Sequence, residues 1–267
     1  MSLISPPNTP LDADLVVSTA RLLLDKISDE VLQAMSHHSE PNPESLRALV
    51  EGASSWEEIA EELIYGPQTR PALLASVLGD LLEGEGQPSL VSEGYGIERP
   101  TIVPGNLYVE GPLEISSALW VLGDCFCEGV ISDEGPDSHV VILGNLRAPA
   151  LMTSGEFCVL GDVETLMLLG QYNDNSLVIA GNVTTQILYE DDHDVSIMGT
   201  LDARLHASAD MPDDERFALM AAWLDPRYII DPENFEIDLE GLCEAMNQGE
   251  EPILEAPRII DYNTFDE

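Results

Sequence analysis

The chain has 267 residues, with 50 acidic and ten basic side chains and a formal charge of −40, on an ordinary 44% hydrophobic content. That apolar fraction excludes a disordered acidic tail. The sign of the charge disfavours nucleic acid and anionic lipid, whose recognition needs Lys and Arg, and favours a strongly basic partner. Solubility or a salt-adapted proteome is the bland alternative. Arg147 is the only basic residue between Arg99 and Arg204.

No basic region precedes an apolar run at the N-terminus, and no apolar stretch nears the ~20 residues of a membrane span. The chain is therefore expected to be cytoplasmic, without membrane contact. Four cysteines without metal spacing fit a reducing compartment. On the repeat described below, Cys125 falls in an inward column and reads as a small core residue, and Cys158 falls in the outward column with Trp120 and Val141.

In chain order, residues 1–10 are rich in Pro and Ser. Apolar residues recur at helical spacing from Leu11 to about Met35, with a start signal at Ser28-Asp29-Glu30. Asn42-Pro43 opens a second helix. Ser55-Trp56-Glu57-Glu58 is a capping box for a third, and Pro71 to Leu82 form one more before Gly84-Glu85-Gly86. Residues 1–98 thus read as a helical module and its linker.

From residue 99 to 205 a Gly-Asn/Asp step returns: Gly105-Asn106, Gly123-Asp124, Gly144-Asn145, Gly161-Asp162, Gly181-Asn182 and, varied, Gly199-Thr200. The intervals are 18, 21, 17, 20 and 18 residues. Two before each glycine stand Val103, Val121, Ile142, Val159, Ile179 and Ile197; four before and two after are further apolar columns. Residues two apart on a strand share a face, so each repeat predicts a strand with its apolar side inward. The glycine is expected to let the backbone turn a corner. Stacked, the columns become aliphatic ladders in a parallel β-solenoid of about six coils of 17–21 residues.

Residues 206–267 predict a helix from Asp213 to Trp223, a second from Leu239 to Met246 capped by Asp238, and a tail mixing apolar and acidic residues. The fold class is α+β, with the helical flanks expected to cap the open ends of the solenoid.

Extra length collects ahead of the strand entering each Gly-Asn/Asp corner, so the longer loops should share one edge. There Asp133, Glu134, Asp137, Tyr172, Asp174, Tyr189, Glu190, Asp191, Asp192 and Asp194 combine carboxylates with aromatic anchors, a composition suited to a basic protein surface. Asp191-Asp192-His193-Asp194 lacks the glycine and spacing of a calcium loop. There is no phosphate-cradling loop and no nucleophile elbow. The loop histidines His139 and His193 allow a solenoid acyltransferase with a histidine base, but the strict six-residue register of such enzymes is missing.

The repeat over residues 103–201 resembles the bactofilins, polymer-forming bacterial β-solenoids. Gly170-Gln171-Tyr172-Asn173-Asp174, Gly181-Asn182-Val183 and Asp191-Asp192-His193 resemble bacterial β-solenoid immunity proteins of secreted-toxin systems. The second resemblance implies a non-catalytic protein, without cofactor or metal, that neutralises a cognate toxin by stoichiometric binding. Because nuclease surfaces are basic, the toxin would be a nuclease, with the acidic loop edge as its dock and the inhibitor a monomer or small oligomer. The first resemblance implies a self-assembling scaffold, from which the helical flanks and the charge depart.

Overall fold

The computed structural model describes residues 12–25, 42–53, 58–59, 69–81, 89–91, 94–133, 135, 137–171, 175–231 and 236–258. Its centre is a parallel β-solenoid of about six turns with three faces. Face A is a six-stranded sheet of Thr101–Val103, Ala118–Val121, His139–Ile142, Glu156–Val159, Ser176–Ile179 and Asp194–Ile197. Face B runs through Ser89–Val91, Leu107–Val109, Cys125–Cys127, Leu146–Arg147 and Val163–Glu164. Face C runs through Tyr95–Ile97, Leu113–Ile115, Ile131–Asp133, Ala150–Thr153 and Met167–Gln171. The long strand Val183–Asp191 passes through the corner between B and C without a break, which joins them into one twelve-stranded sheet. Among the described residues strand pairing begins at Ser89, ahead of the boundary at 99 expected from the repeat.

The predicted columns pair in register, Val121 on Ile142, Ile142 on Val159 and Val159 on Ile179. Together with Leu107, Cys125, Leu146, Val163 and Val183 from face B they form one enclosed core, with nearly every member under 3% exposed. Each such side chain contributes roughly 1.5–3 kcal/mol of burial, so the ladder is the main source of the solenoid's stability.

At the corner between A and B the glycines act differently from the expectation. None of the six has a positive φ; among the described glycines only Gly94, Gly135 and Gly249 do. What the corner demands is closeness. A Cβ on Gly161 would lie 2.5 Å from the carbonyl carbon and oxygen of Gly144, and one on Gly181 2.3 Å from the carbonyl oxygen of Gly161. The stacked turns hydrogen-bond through these groups, Gly144 N to Gly123 O at 2.9 Å and Gly161 N to Gly144 O at 3.1 Å.

The next residue forms a polar ladder on the same corner. Asn106 Oδ1 accepts from Asp124 N, Asp124 Oδ1 from Asn145 N and Nδ2, and Asn145 Oδ1 from Asp162 N. Asp162 Oδ1 accepts from Asn182 N and Nδ2, and Asn182 Oδ1 from Thr200 N and Oγ1. Amide and carboxylate alternate, so no two carboxylates are neighbours at the ~4.8 Å rung spacing. Asn145→Asp would set three carboxylates in a row and remove the Nδ2 donor. It should lose about 1–2 kcal/mol at neutral pH, partly recovered when urea melts are repeated near pH 4.

Among the described residues the helices lie along the sides of the solenoid and not, as expected from the sequence, over its ends. Helices α1 (Ala13–Leu24), α2 (Pro43–Gly52) and α3 (Thr69–Leu81) set Val16, Ala20, Leu46, Leu74 and Leu78 against Ile102, Trp120, Val141, Cys158 and Val178 on the outer surface of face A. Asp12 and Asn42 cap α1 and α2 through their side-chain oxygens. Gly79 leaves room for Leu143, whose Cδ1 would lie 2.7 Å from a Cβ there. The signals at Ser28-Asp29-Glu30 and at the Ser55 capping box lie outside the described residues, except that Glu58 is helical.

On face C, helices α4 (Asp213–Trp223) and α5 (Leu239–Asn247) bury Met220, Leu242 and Met246 against Val130, Ala150, Met167 and Ile187. Asp238 caps α5 through Gly241 N at 2.8 Å. Asn247 Oδ1 accepts from Val130 N at 2.7 Å, tying the end of α5 to the corner between B and C. Two of three faces are thus covered among the described residues, and face B is not. Among the described residues no helix is long and apolar enough to cross a membrane.

Candidate interaction surface

The loops before face A do emerge along one edge, between faces C and A, but the chain itself uses several of the acidic residues expected to dock a partner there. Asp133 is a correction: it is 6% exposed, and its Oδ1 accepts from the backbone of Gly135, Ser154 and Gly155 and from Ser138 Oγ. Glu190 accepts from His206 Nε2 at 2.8 Å, from Ser208 Oγ and from Ala209 N, which anchors the exit from the last coil. Asp191 receives Arg216 Nη2 at 2.9 Å, and the same guanidinium sits 5.7 Å over the Tyr189 ring. Arg216 side-chain exposure is 5%, so Tyr189 and Asp191 hold α4 onto face C. Burial raises the Tyr189 hydroxyl and the Asp191 carboxyl above their ordinary values, and Arg216 opposes both shifts.

Asp137, Asp192 and Asp194 are exposed. Asp192 adopts φ +56° at the tip of its turn, a conformation Asp tolerates. Glu134, Tyr172 and Asp174 lie outside the described residues.

Beneath this edge, on the outer side of face A, one column reads Ala118, His139, Glu156, Ser176 and Asp194. His139 is 2% exposed, and burial lowers it to about 4, so it is neutral. Burial raises Glu156 to about 7, reinforced by the carboxylates of Asp133 and Asp194 and opposed by the hydrogen bond from Ser176. The native state therefore holds a proton that the unfolded chain releases near 4.5. Stability at this site is full below that value and falls as pH rises towards 7.

Glu156→Gln should accordingly exceed the parent chain in stability at pH 8, by on the order of 1–2 kcal/mol. The gap should close at pH 5, as read from urea melts. His139 works in the opposite direction, its contribution lost as pH falls from 6.5 towards 4, but it is common to both proteins and cancels. His193 is 2% exposed with its ring against Gly170, so both loop histidines lie within the protein, not in an open cleft.

Burial raises Cys127 and Cys243 to about 11 and Cys158 to about 12, and raises Cys125 further, which keeps all four as thiols. Among the described residues no group of three or more His, Cys, Asp or Glu side chains is placed to hold a metal ion.

Among the described residues the open region is face B. A groove of about 590 Å³ crosses four successive coils near its border with face C. One wall is the outward column Tyr108, Phe126, Arg147 and Glu164; the other is Glu110, Glu128, Pro149 and Leu166. Tyr108 and Phe126 stack with centroids 5.1 Å apart and planes 14° from parallel. Arg147 and Glu164 pair at 3.4 Å and remain about two-thirds exposed. Among the described residues no ion pair or hydrogen bond engages the side chains of Glu110 and Glu128, both exposed.

The groove belongs to the regular part of the repeat and not to the insertions, and its signal in the sequence is periodic: Tyr108 and Phe126 occupy one outward column, and Glu110 and Glu128 another two residues on. In comparisons with known proteins, the chain matches no protein-family model, no curated protein and no solved structure.

Proposed function

We propose that this is a binding protein without catalytic function that neutralises a basic protein, most consistently a toxin of nuclease type, by stoichiometric docking. The observation that carries the reading is a solenoid face that no described element covers, in a strongly acidic chain. Helices cover faces A and C, whereas face B presents Glu110, Glu128, Glu164 and Asp202 against Arg147 and Arg204. Long-range attraction towards such a surface speeds encounter with a cationic partner and is screened by salt.

The experiment is recovery of the tagged chain from its native cell at low salt, followed by reconstitution with the partner so obtained. The expected result is one basic protein in a 1:1 complex, whose toxicity the chain cancels. Its association rate should fall at least about tenfold between roughly 0.02 and 0.3 M salt. A rate indifferent to salt would sink the steering mechanism, and recovery of the chain alone would sink the docking function.

A second reading, head-to-tail assembly, rests on the ends. The last coil is bounded by Asp194–Ile197 and Leu201–Ala207, each paired on one side only among the described residues, and Val195, Ile197 and Leu201 are only partly buried there. Asp194 and Asp202 place exposed carboxylates on these edge strands, a device that discourages further pairing. Sedimentation of the pure protein separates the two: filaments favour assembly, and a monomer or small oligomer favours docking.

A further inference from the structure

We infer that the Tyr108–Phe126 half of the face B groove is a seat for an arginine or lysine side chain on an extended basic segment of the protein partner. The inference rests on the docking function proposed above and names its chemistry.

The two rings stack face on face on consecutive coils, so each keeps one face turned away from the other, with Glu110 and Glu128 on the facing wall. A cation over an aromatic face gains from the ring quadrupole, and a carboxylate beside it supplies the hydrogen-bond acceptor. The groove's own cation, Arg147, is one coil further on and is held by Glu164. The aromatic half therefore presents only negative charge.

The molecule uses the same arrangement internally. On face C, Arg216 lies over Tyr189 and bonds Asp191, which docks α4 on the sheet. Arg227 lies 4.8 Å from the centre of the Tyr228 ring and pairs with Glu250. The aromatic half of the groove carries the ring and carboxylate partners of this constellation, and the guanidinium of Arg147 on the next coil is paired with Glu164. Its four coils span about 14 Å at ~4.8 Å per rung, enough for a few residues of extended peptide along the axis.

The test uses the full chain and a fluorescent Arg-Gly-Arg-Gly-Arg peptide, with its citrulline counterpart as the uncharged control, by anisotropy at low salt. The expected result is binding of the arginine peptide at least about tenfold tighter than the citrulline peptide. Tyr108→Leu with Phe126→Leu, which leaves the charge unchanged, should weaken it about three- to tenfold. Glu110→Gln with Glu128→Gln should weaken it well beyond Glu215→Gln with Glu244→Gln, an equal charge change on exposed positions of α4 and α5. Equal loss from the two glutamine pairs, or no loss from the leucine pair, overturns the groove as the seat while leaving acidic docking in place. Indifference of the parent chain between arginine and citrulline overturns both.

Discussion

Gly181→Ala should be among the most damaging single-methyl substitutions in this chain, costing about 3 kcal/mol or more in urea or thermal melts. The added carbon would meet the carbonyl oxygen of Gly161 at 2.3 Å and its carbonyl carbon at 2.5 Å. Neither is the tip of a flexible side chain. Relief requires prising two coils apart where parallel strands hold them on both sides of the corner, at Val178 to Ile179 and at Val183 to Thr184. The position carries no positive φ, so the effect is steric stacking and not lost conformational freedom. Gly52→Ala is the matched control, because a Cβ there meets nothing within 4 Å at the end of α2. That change should be neutral or mildly stabilising. A Gly181→Ala protein within about 0.5 kcal/mol of the parent would falsify the close-stacking account.

Trp120→Ala should cost about 3–5 kcal/mol, as expected for a large aromatic removed from a packed interior. Trp120 is 2% exposed and lies between the outer surface of face A and the N-terminal helices, in one cluster with Leu46, Leu74, Leu78 and Val141. The loss should therefore be uneven. Native-state hydrogen exchange should show α1 to α3 losing protection first, with the amides of the inner ladders around Val159 and Ile179 retained longer. Uniform loss of protection would mean that the helices and the coils unfold as one unit. Trp120→Phe should be much milder, because Nε1 has no hydrogen-bond partner among the described residues and its removal relieves an unsatisfied donor.

The solenoid was legible in the sequence because its cause is periodic. Val121, Ile142, Val159 and Ile179 recur at the spacing of a coil, and alternation along each strand assigns them to the core whatever the loop lengths between. The positions of α2, α4 and α5 were legible from Asn42-Pro43, Pro226 and Asp238, since caps and breakers act locally. What the helices cover was not legible. An outward column of Trp120, Val141, Cys158 and Val178 reads as apolar surface, and only three dimensions show that α1 to α3 lie upon it. The acidic edge is only partly legible for a related reason. Glu190, Asp191 and Asp133 look like free carboxylates until His206, Arg216 and the amides of Ser154 and Gly155, all distant in sequence, are seen to converge on them.

The Asn–Asp ladder at the corner between A and B gives the solenoid a parity. Excising residues 145–161, one coil, would join Gly144 to Asp162 and stack that carboxylate directly on Asp124. Excising 145–181, two coils, would bring Asn182 onto Asp124 instead and keep donor facing acceptor. The glycine intervals of 18, 21, 17, 20 and 18 residues swing between shorter and longer in the same two-beat rhythm. The natural module of this fold is therefore a pair of coils, and it should lengthen or shorten without electrostatic penalty only by even steps.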